Sequence, residues 1–252
     1  MRFARNVLAV LVLLAALAVL AAWTCPAAIL YRHFGSRLEP LRLRGIEGTL
    51  WHGHAAGAEL FGQAIGALDW DVSVGALLRG APSARLAVTG ATISGDGRFE
   101  RLAGGAVALH DAHLRLPAHE AAPALGIPAL DMLGTIVIAI DEARFTAAWP
   151  STLVGSARWH DAAVAGAAQA QLGELQATFS TGTDAVVNGT VADVGGPLEL
   201  SGTFQASITR YRAQARLAAR GDNPQLVEAL QYIGQPRADG SRELLIEGRT
   251  AF

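Results

Sequence analysis

From residue 38 onward the chain keeps returning to one pattern, a short run in which apolar and polar side chains alternate, followed by a break holding Gly, Asp, Asn or Pro. "ARLAVTG", "VALHDAHLRL", "TIVIAI", "LGELQATFS", "AVVNGTVADV", "PLELSGTFQASI", "YRAQARLAAR" and "RELLIEG" are its clearest instances. Successive side chains of a strand point to opposite faces, so a period of two turns one face toward a core and the other toward water. The breaks are short and carry turn chemistry, which predicts consecutive antiparallel pairing. No long helical period separates the runs, and this disfavours βαβ units with a nucleotide crevice. The expected fold class is mainly β, a curved and mostly antiparallel sheet with a few short helices.

Three segments interrupt the rhythm. "VSVGALLRG" after Trp70 and "WPSTLVG" after Ala148 each have the makings of one or two helical turns. "DNPQLVEALQYIG" is a better helix. Asp222 or Asn223 can accept the first free backbone amides, Pro224 suits the first helical position, and Leu226, Leu230 and Ile233 share a face that Gly234 terminates. "AHEAAPALGIPALDMLG" reads as a loop or broken helix joining two halves.

The first thirty residues follow a different rule. "NVLAVLVLLAALAVLAAWTCPAAIL", residues 6–30, carries no charge over a length that crosses a bilayer core, which takes roughly 20 apolar helical residues. We expect a cytoplasmic N-terminus over residues 1–6, a transmembrane anchor helix over 7–30 and a β-rich domain over 31–252. Arg2 and Arg5 precede the span, while Trp23 and Tyr31 lie at its far end, where an aromatic belt forms. A cleaved signal peptide has a shorter apolar stretch and a small-x-small cut point, whereas Trp23 and Pro26 crowd the candidate sites here. Thr24 and Trp23 also make Cys25 a poor lipid-attachment site.

The β-rich region reads as two related halves, about 38–118 and 134–252. Gly48, Trp51 and His52 are followed by Gly66 and Leu68, and Gly155, Trp159 and His160 are followed by Gly173 and Leu175. Each half is then a tryptophan-bearing strand, a turn, and a strand opening on a glycine and an apolar residue, the repeat of a unit that buries a face against its neighbour. Trp51 and Trp159 are expected as core wedges between sheet layers or as interfacial aromatics.

Chemistry is sparse. His52 and His54 share a strand face, but a metal needs further ligands and an oriented second shell, and none is evident. His110, His113 and His119, with Asp111, follow no metal spacing. Asp69 and Asp71 flank Trp70 on one face, an arrangement that serves acid and base chemistry only inside a substrate cleft; a solvated face opposite a buried Trp70 is the expectation. Asn188-Gly189-Thr190 formally matches a glycosylation acceptor and is read as a turn inside a strand pair. No serine occupies a nucleophile elbow and the glycines follow no phosphate-loop spacing. A net charge of −2 on 252 residues gives no basic footprint for nucleic acid. The lone Cys25 excludes an intramolecular disulfide. No catalytic, cofactor-binding or metal residue is assigned, and the chain is expected not to be an enzyme.

The order "GTLWHGHA", "LDWDV" then "LLRG", "GSARWHDAAV", "LGELQATF", "GGPLELSGTF", "YRAQARLAAR" and "LVEALQYIGQPRADGSRELLIEG" resembles the type II secretion system protein N family, also called general secretion pathway protein N. The resemblance runs along the whole chain. It implies a single-pass inner-membrane accessory protein with a periplasmic β-rich domain, working with the other inner-membrane components of the machine that exports folded proteins. It brings no catalytic residues. More distantly, the glycine-spaced amphipathic strands resemble AsmA-like envelope proteins, which implies as the alternative a β groove that binds or transfers lipid.

Overall fold

The computed structural model describes residues 25–35, 39–60, 62–121, 130–147 and 149–249. Residues 1–24, and with them the N-terminal segment and most of the expected anchor, lie outside that set. Of the anchor's last six residues, Cys25 lies outside any helix or strand and Pro26 is extended, at φ −64° and ψ 130°, and Ala27 opens the helix α1 (Ala27–Phe34). Proline disfavours the helical conformation in the residue before it, in keeping with a helix that starts after Pro26. Among the described residues no helix is long and apolar enough to cross a membrane.

The chain divides into two compact units, residues 1–91 and 92–252. The first holds β1 (Leu41–Gly48), β2 (His52–Leu60), β3 (Gln63–Ser73) and β4 (Ser83–Thr89), each antiparallel to the next. "VSVGALLRG" supplies α2 (Val74–Leu78), whose start is capped by Ser73 accepting from the Ala76 amide at 3.3 Å. Leu41, Leu43, Ile46, Leu86 and Val88 pack around Ala55, Ala58 and Leu68 on one face. The tryptophan that joins them is Trp70, which lies across Gly53 directly opposite and donates to the Thr49 carbonyl at 3.2 Å. Trp51 stands half-buried in the turn before β2 and not in a strand. On the outer side of β1, the Tyr31 hydroxyl of α1 accepts from the Leu43 amide at 2.8 Å and so covers part of an otherwise open edge.

In the second unit β5 (Ser94–Arg101), β6 (Val107–Pro117), β7 (Leu130–Phe145), β8 (Pro150–Gly166), β9 (Ala170–Thr181), β10 (Val187–Asp193), β11 (Leu198–Ala206) and β12 (Tyr211–Ala219) follow one another as antiparallel neighbours. Then α3 (Pro224–Leu230) intervenes, and β14 (Arg242–Gly248) pairs with β12, with the two-residue β13 (Gln235–Pro236) along its far side. The α3 cap is as expected. Asn223 accepts from the Leu226 amide at 3.0 Å and Pro224 occupies the first turn. Two expectations are corrected. "WPSTLVG" is strand, because Pro150 sits at the first position of β8, where a missing N–H is tolerated, and Thr152, Leu153 and Val154 pair with β7. In the expected joining loop, the Leu130–Gly134 end belongs to β7.

The two tryptophan-bearing stretches share one backbone feature and are misaligned in another. In β2 and β3, Ala55 faces Leu68, the register then shifts, and Ala58 faces Gly66. In β8 and β9, Trp159 faces Leu175, the register shifts, and Ala162 faces Gly173. Both glycines adopt positive φ, +109° and +99°. The Gly-x-Leu pairs thus make the same bulge, which bends the strand. Ala55 occupies the position of Trp159, so the two tryptophans are not equivalent.

Candidate functional site

The histidines and carboxylates singled out in the sequence meet in pairs. Across β2 and β3, His52 faces Asp71 and His54 faces Asp69, each Nδ1 lying 2.8 Å from a carboxylate oxygen. All four side chains are largely exposed, on the face opposite Trp70 and the apolar cluster. No cleft encloses them, so they form two cross-strand pairs on a wet face. In the second unit His110 lies 3.8 Å from Glu100, His113 lies 4.0 Å from Asp96, Asp111 lies 3.4 Å from Arg98 and His119 lies 3.6 Å from Glu120. His160 and Arg158 share Glu174 at 3.7 and 3.5 Å. Among the described residues no group of three or more His, Cys, Asp or Glu is placed to hold a metal ion.

One carboxylate has a structural task. Asp193, at the end of β10, has a side chain only 12% exposed. It accepts from the Leu200 amide at 2.9 Å, the Gly195 amide at 3.2 Å and Arg220 Nη2 at 2.8 Å. Arg220 also donates to the Gly196 carbonyl at 2.6 Å, tying the β10–β11 turn to the end of β12. Burial pushes the Asp193 carboxyl up, but the Leu200 amide, the Arg220 guanidinium and the Gly195 amide outweigh it and hold the group below its ordinary range. Its stabilisation is therefore present above about pH 4 and lost as the pH falls further. Asp193→Asn is expected to cost stability at pH 7 and much less near pH 3, as read from urea midpoints of parent and variant. An equal difference at the two pH values would remove the assignment.

The second unit also carries an extended apolar face. Leu130, Leu172, Leu198, Leu200 and Leu217 form one face of the second unit's sheet, and Leu226, Ala229, Leu230 and Ile233 of α3 and the turn after it lie against them. Bulges interrupt the strands that carry this face. At Gly134, φ +99°, a Cβ would stand 2.4 Å from the His160 carbonyl oxygen, and the register of β7 and β8 shifts there. The neighbouring shift in β8 and β9 falls at Ala162 and Gly173. Beyond α3 the same face continues as a groove of about 450 Å³ lined from β7 to β14, within the range of roughly 300–1,000 Å³ for small-molecule sites. Trp159 is half-buried at this groove, with Nε1 donating to the Leu133 carbonyl at 2.8 Å, so it serves as a wall of the groove and not as a wedge between layers.

Two aromatic rings at the far end were illegible as a pair with glycine. Phe204 lies over Gly189 and Tyr211 over Gly248, each directly across the ladder. Asn188-Gly189-Thr190 is accordingly not a turn but the middle of β10, where the missing side chain leaves room for the ring. The signal available in the sequence was a glycine inside an alternating run, which marks a close approach as readily as a turn.

Comparison with known proteins is consistent along the sheet. A family profile described as Type II secretion system (T2SS), protein N matches residues 39–244. A Type II secretion system protein N of Vibrio cholerae serotype O1 is 32% identical over 216 residues, 80% of this chain and 82% of that protein. One of the same name from Aeromonas hydrophila is 28% identical over 242 residues, 89% of this chain and 90% of that protein. No solved structure matches.

Proposed function

The chain belongs to the type II secretion system protein N family, and from that premise we propose that it is a non-catalytic accessory component of the type II secretion system, acting in the export of folded proteins from the periplasm. The observation that carries this reading is the extent of the match. Residues 39–244 take in almost every strand from β1 to β14, so the shared part is the sheet scaffold itself and not a detachable segment. The AsmA-like alternative receives no support from these relatives. The finer reading places residues 1–6 in the cytoplasm, a single span in the inner membrane within the expected anchor, and the sheet units in the periplasm. Its partners are then the bilayer, through the anchor, and other inner-membrane components of the secretion machine. The charge-free length of the N-terminal segment supports the span, and Arg2 and Arg5 before it support the orientation.

Deleting the gene is expected to leave a type II exoprotein trapped in the periplasm, with export restored by the gene in trans and the outer membrane still impermeable. Normal export in the deletion strain would overturn the reading. Digestion of the sheet units by protease added to spheroplasts, with the cytoplasm sealed, tests the topology; protection would reverse it.

A further inference from the structure

Among the described residues, the apolar face of the second unit is covered at one end only. Beneath α3, Leu198 and Leu217 are 2% and 6% exposed. Along the same two strands the inward side chains Phe204, Ala206, Ala213 and Ala215 are only half-buried, and Tyr211 at the end is 36% exposed. The groove of about 450 Å³ includes these residues in its lining. We infer that it holds the acyl chain of a membrane phospholipid. The inference rests on the membrane-anchored reading above for the source of the ligand.

Three observations select that occupant. First, the walls from β7 to β12 offer no backbone partners. Each strand from β6 to β12 is paired on both sides, so its N–H and C=O groups are spent in the ladders. A peptide lying on this face would bury its own amides without partners, whereas a hydrocarbon chain has none to satisfy. Second, the groove presents almost wholly apolar surface, with nothing to match a charged ligand. Arg158 and Arg212, which also border it, are paired with Glu174 at 3.5 Å and Glu247 at 3.2 Å, and Gln214 on the same strand as Arg212 is bonded to Glu243 at 2.7 Å. No buried side-chain polar atom among the described residues lacks a hydrogen bond, so nothing inside calls for a polar group. Third, the chain before Cys25 is apolar and long enough to cross a bilayer, and the first described residues are tied to the sheet, the Cys25 carbonyl accepting from the Leu50 amide at 3.4 Å. On the membrane-anchored reading the first unit is thereby tied to the bilayer, and the second unit, which follows it in the same chain, is supplied with acyl chains from that source.

The test places a photo-reactive amino acid in the full-length protein in cells, at Ile246 inside the groove or at Gln214 on the opposite face, with adducts identified by mass after irradiation. Phospholipid adducts several-fold more abundant at Ile246 than at Gln214 are expected. Ala213→Phe, which fills the open end, is expected to reduce the Ile246 adduct several-fold at an unchanged melting temperature. Equal labelling of the two faces, a protein adduct at Ile246, an adduct of phosphate-free fatty acid, or no adduct would overturn the inference. Exoprotein export separates this failure from that of the wider reading. Export lost on gene deletion with no lipid adduct removes only the groove's ligand, and a groove adduct with export unaffected by deletion removes only the secretion role.

Discussion

Leu226→Ala is expected to destabilise the second unit by about 3–5 kcal/mol, the range for a fully buried leucine whose surroundings cannot collapse. Leu226 is 0% exposed and is the α3 side chain set most deeply against the strands. Collapse is resisted because the wall opposite is a sheet whose strand spacing is set by its ladders, while α3 itself is held at both ends. Asn223 caps its start, and after its last turn Arg242 donates to the carbonyls of Gln231, Ile233 and Gly234 at 2.9–3.0 Å. The measurement is the urea midpoint of the full chain in detergent, followed by tryptophan fluorescence, with Val227→Ala as the comparison because Val227 points outward and is half-exposed. A loss no larger than that of Val227→Ala would mean that α3 does not close the core.

Gly134→Ala is the second large effect, and it separates two costs that usually travel together. At φ +99° any L side chain is strained, by about 1–3 kcal/mol. Gly195, at φ +101°, carries the same strain but has nothing within 4 Å of an added Cβ. At Gly134 the Cβ would meet the carbonyl oxygens of His160 and Asp161 at 2.4 and 2.5 Å, atoms of the neighbouring backbone that move only if β8 moves. Gly195→Ala should therefore pay for strain alone, and Gly134→Ala should pay for strain plus the opening of the β7–β8 bulge. We expect a melting temperature lower for Gly134→Ala than for Gly195→Ala and a weaker amide protection along Trp159–Val164. Equal melting temperatures would show that the bulge tolerates the displacement and is not what bends the sheet.

The contrast between these residues shows where legibility stops. Asn223, Pro224 and Leu226 announce a helix because capping is a matter of a few adjacent residues, and the structure forms it there. "WPSTLVG" carries helix-compatible residues too, but its neighbours in β7 and β9 outweigh local preference and draw it into the ladder. His52 with His54, and Asp69 with Asp71, could each be assigned to one face from their spacing. That His52 would face Asp71 and His54 face Asp69 required the register of two strands, which the bulge opposite Gly66 helps to set. The matched tryptophans misled for a related reason. A repeat aligned on conspicuous residues put Trp51 beside Trp159, whereas the backbone aligns on Gly66 and Gly173, whose positive φ and close approach leave no freedom to slip.

What the amino-acid order determined by itself was therefore local or additive. Period-two alternation made strands with one apolar face, short turn-rich breaks made them antiparallel in sequence order, and the combined order of weak motifs along the chain identified the family. The tertiary structure alone decided which glycines are bulges and which lie under rings, where each histidine finds its carboxylate, and that among the described residues α3 covers one end of the apolar face. Alternation states that a face avoids water but is silent on what shields it, because that depends on how far strands distant in sequence bend around it and on where a seven-residue helix comes to rest.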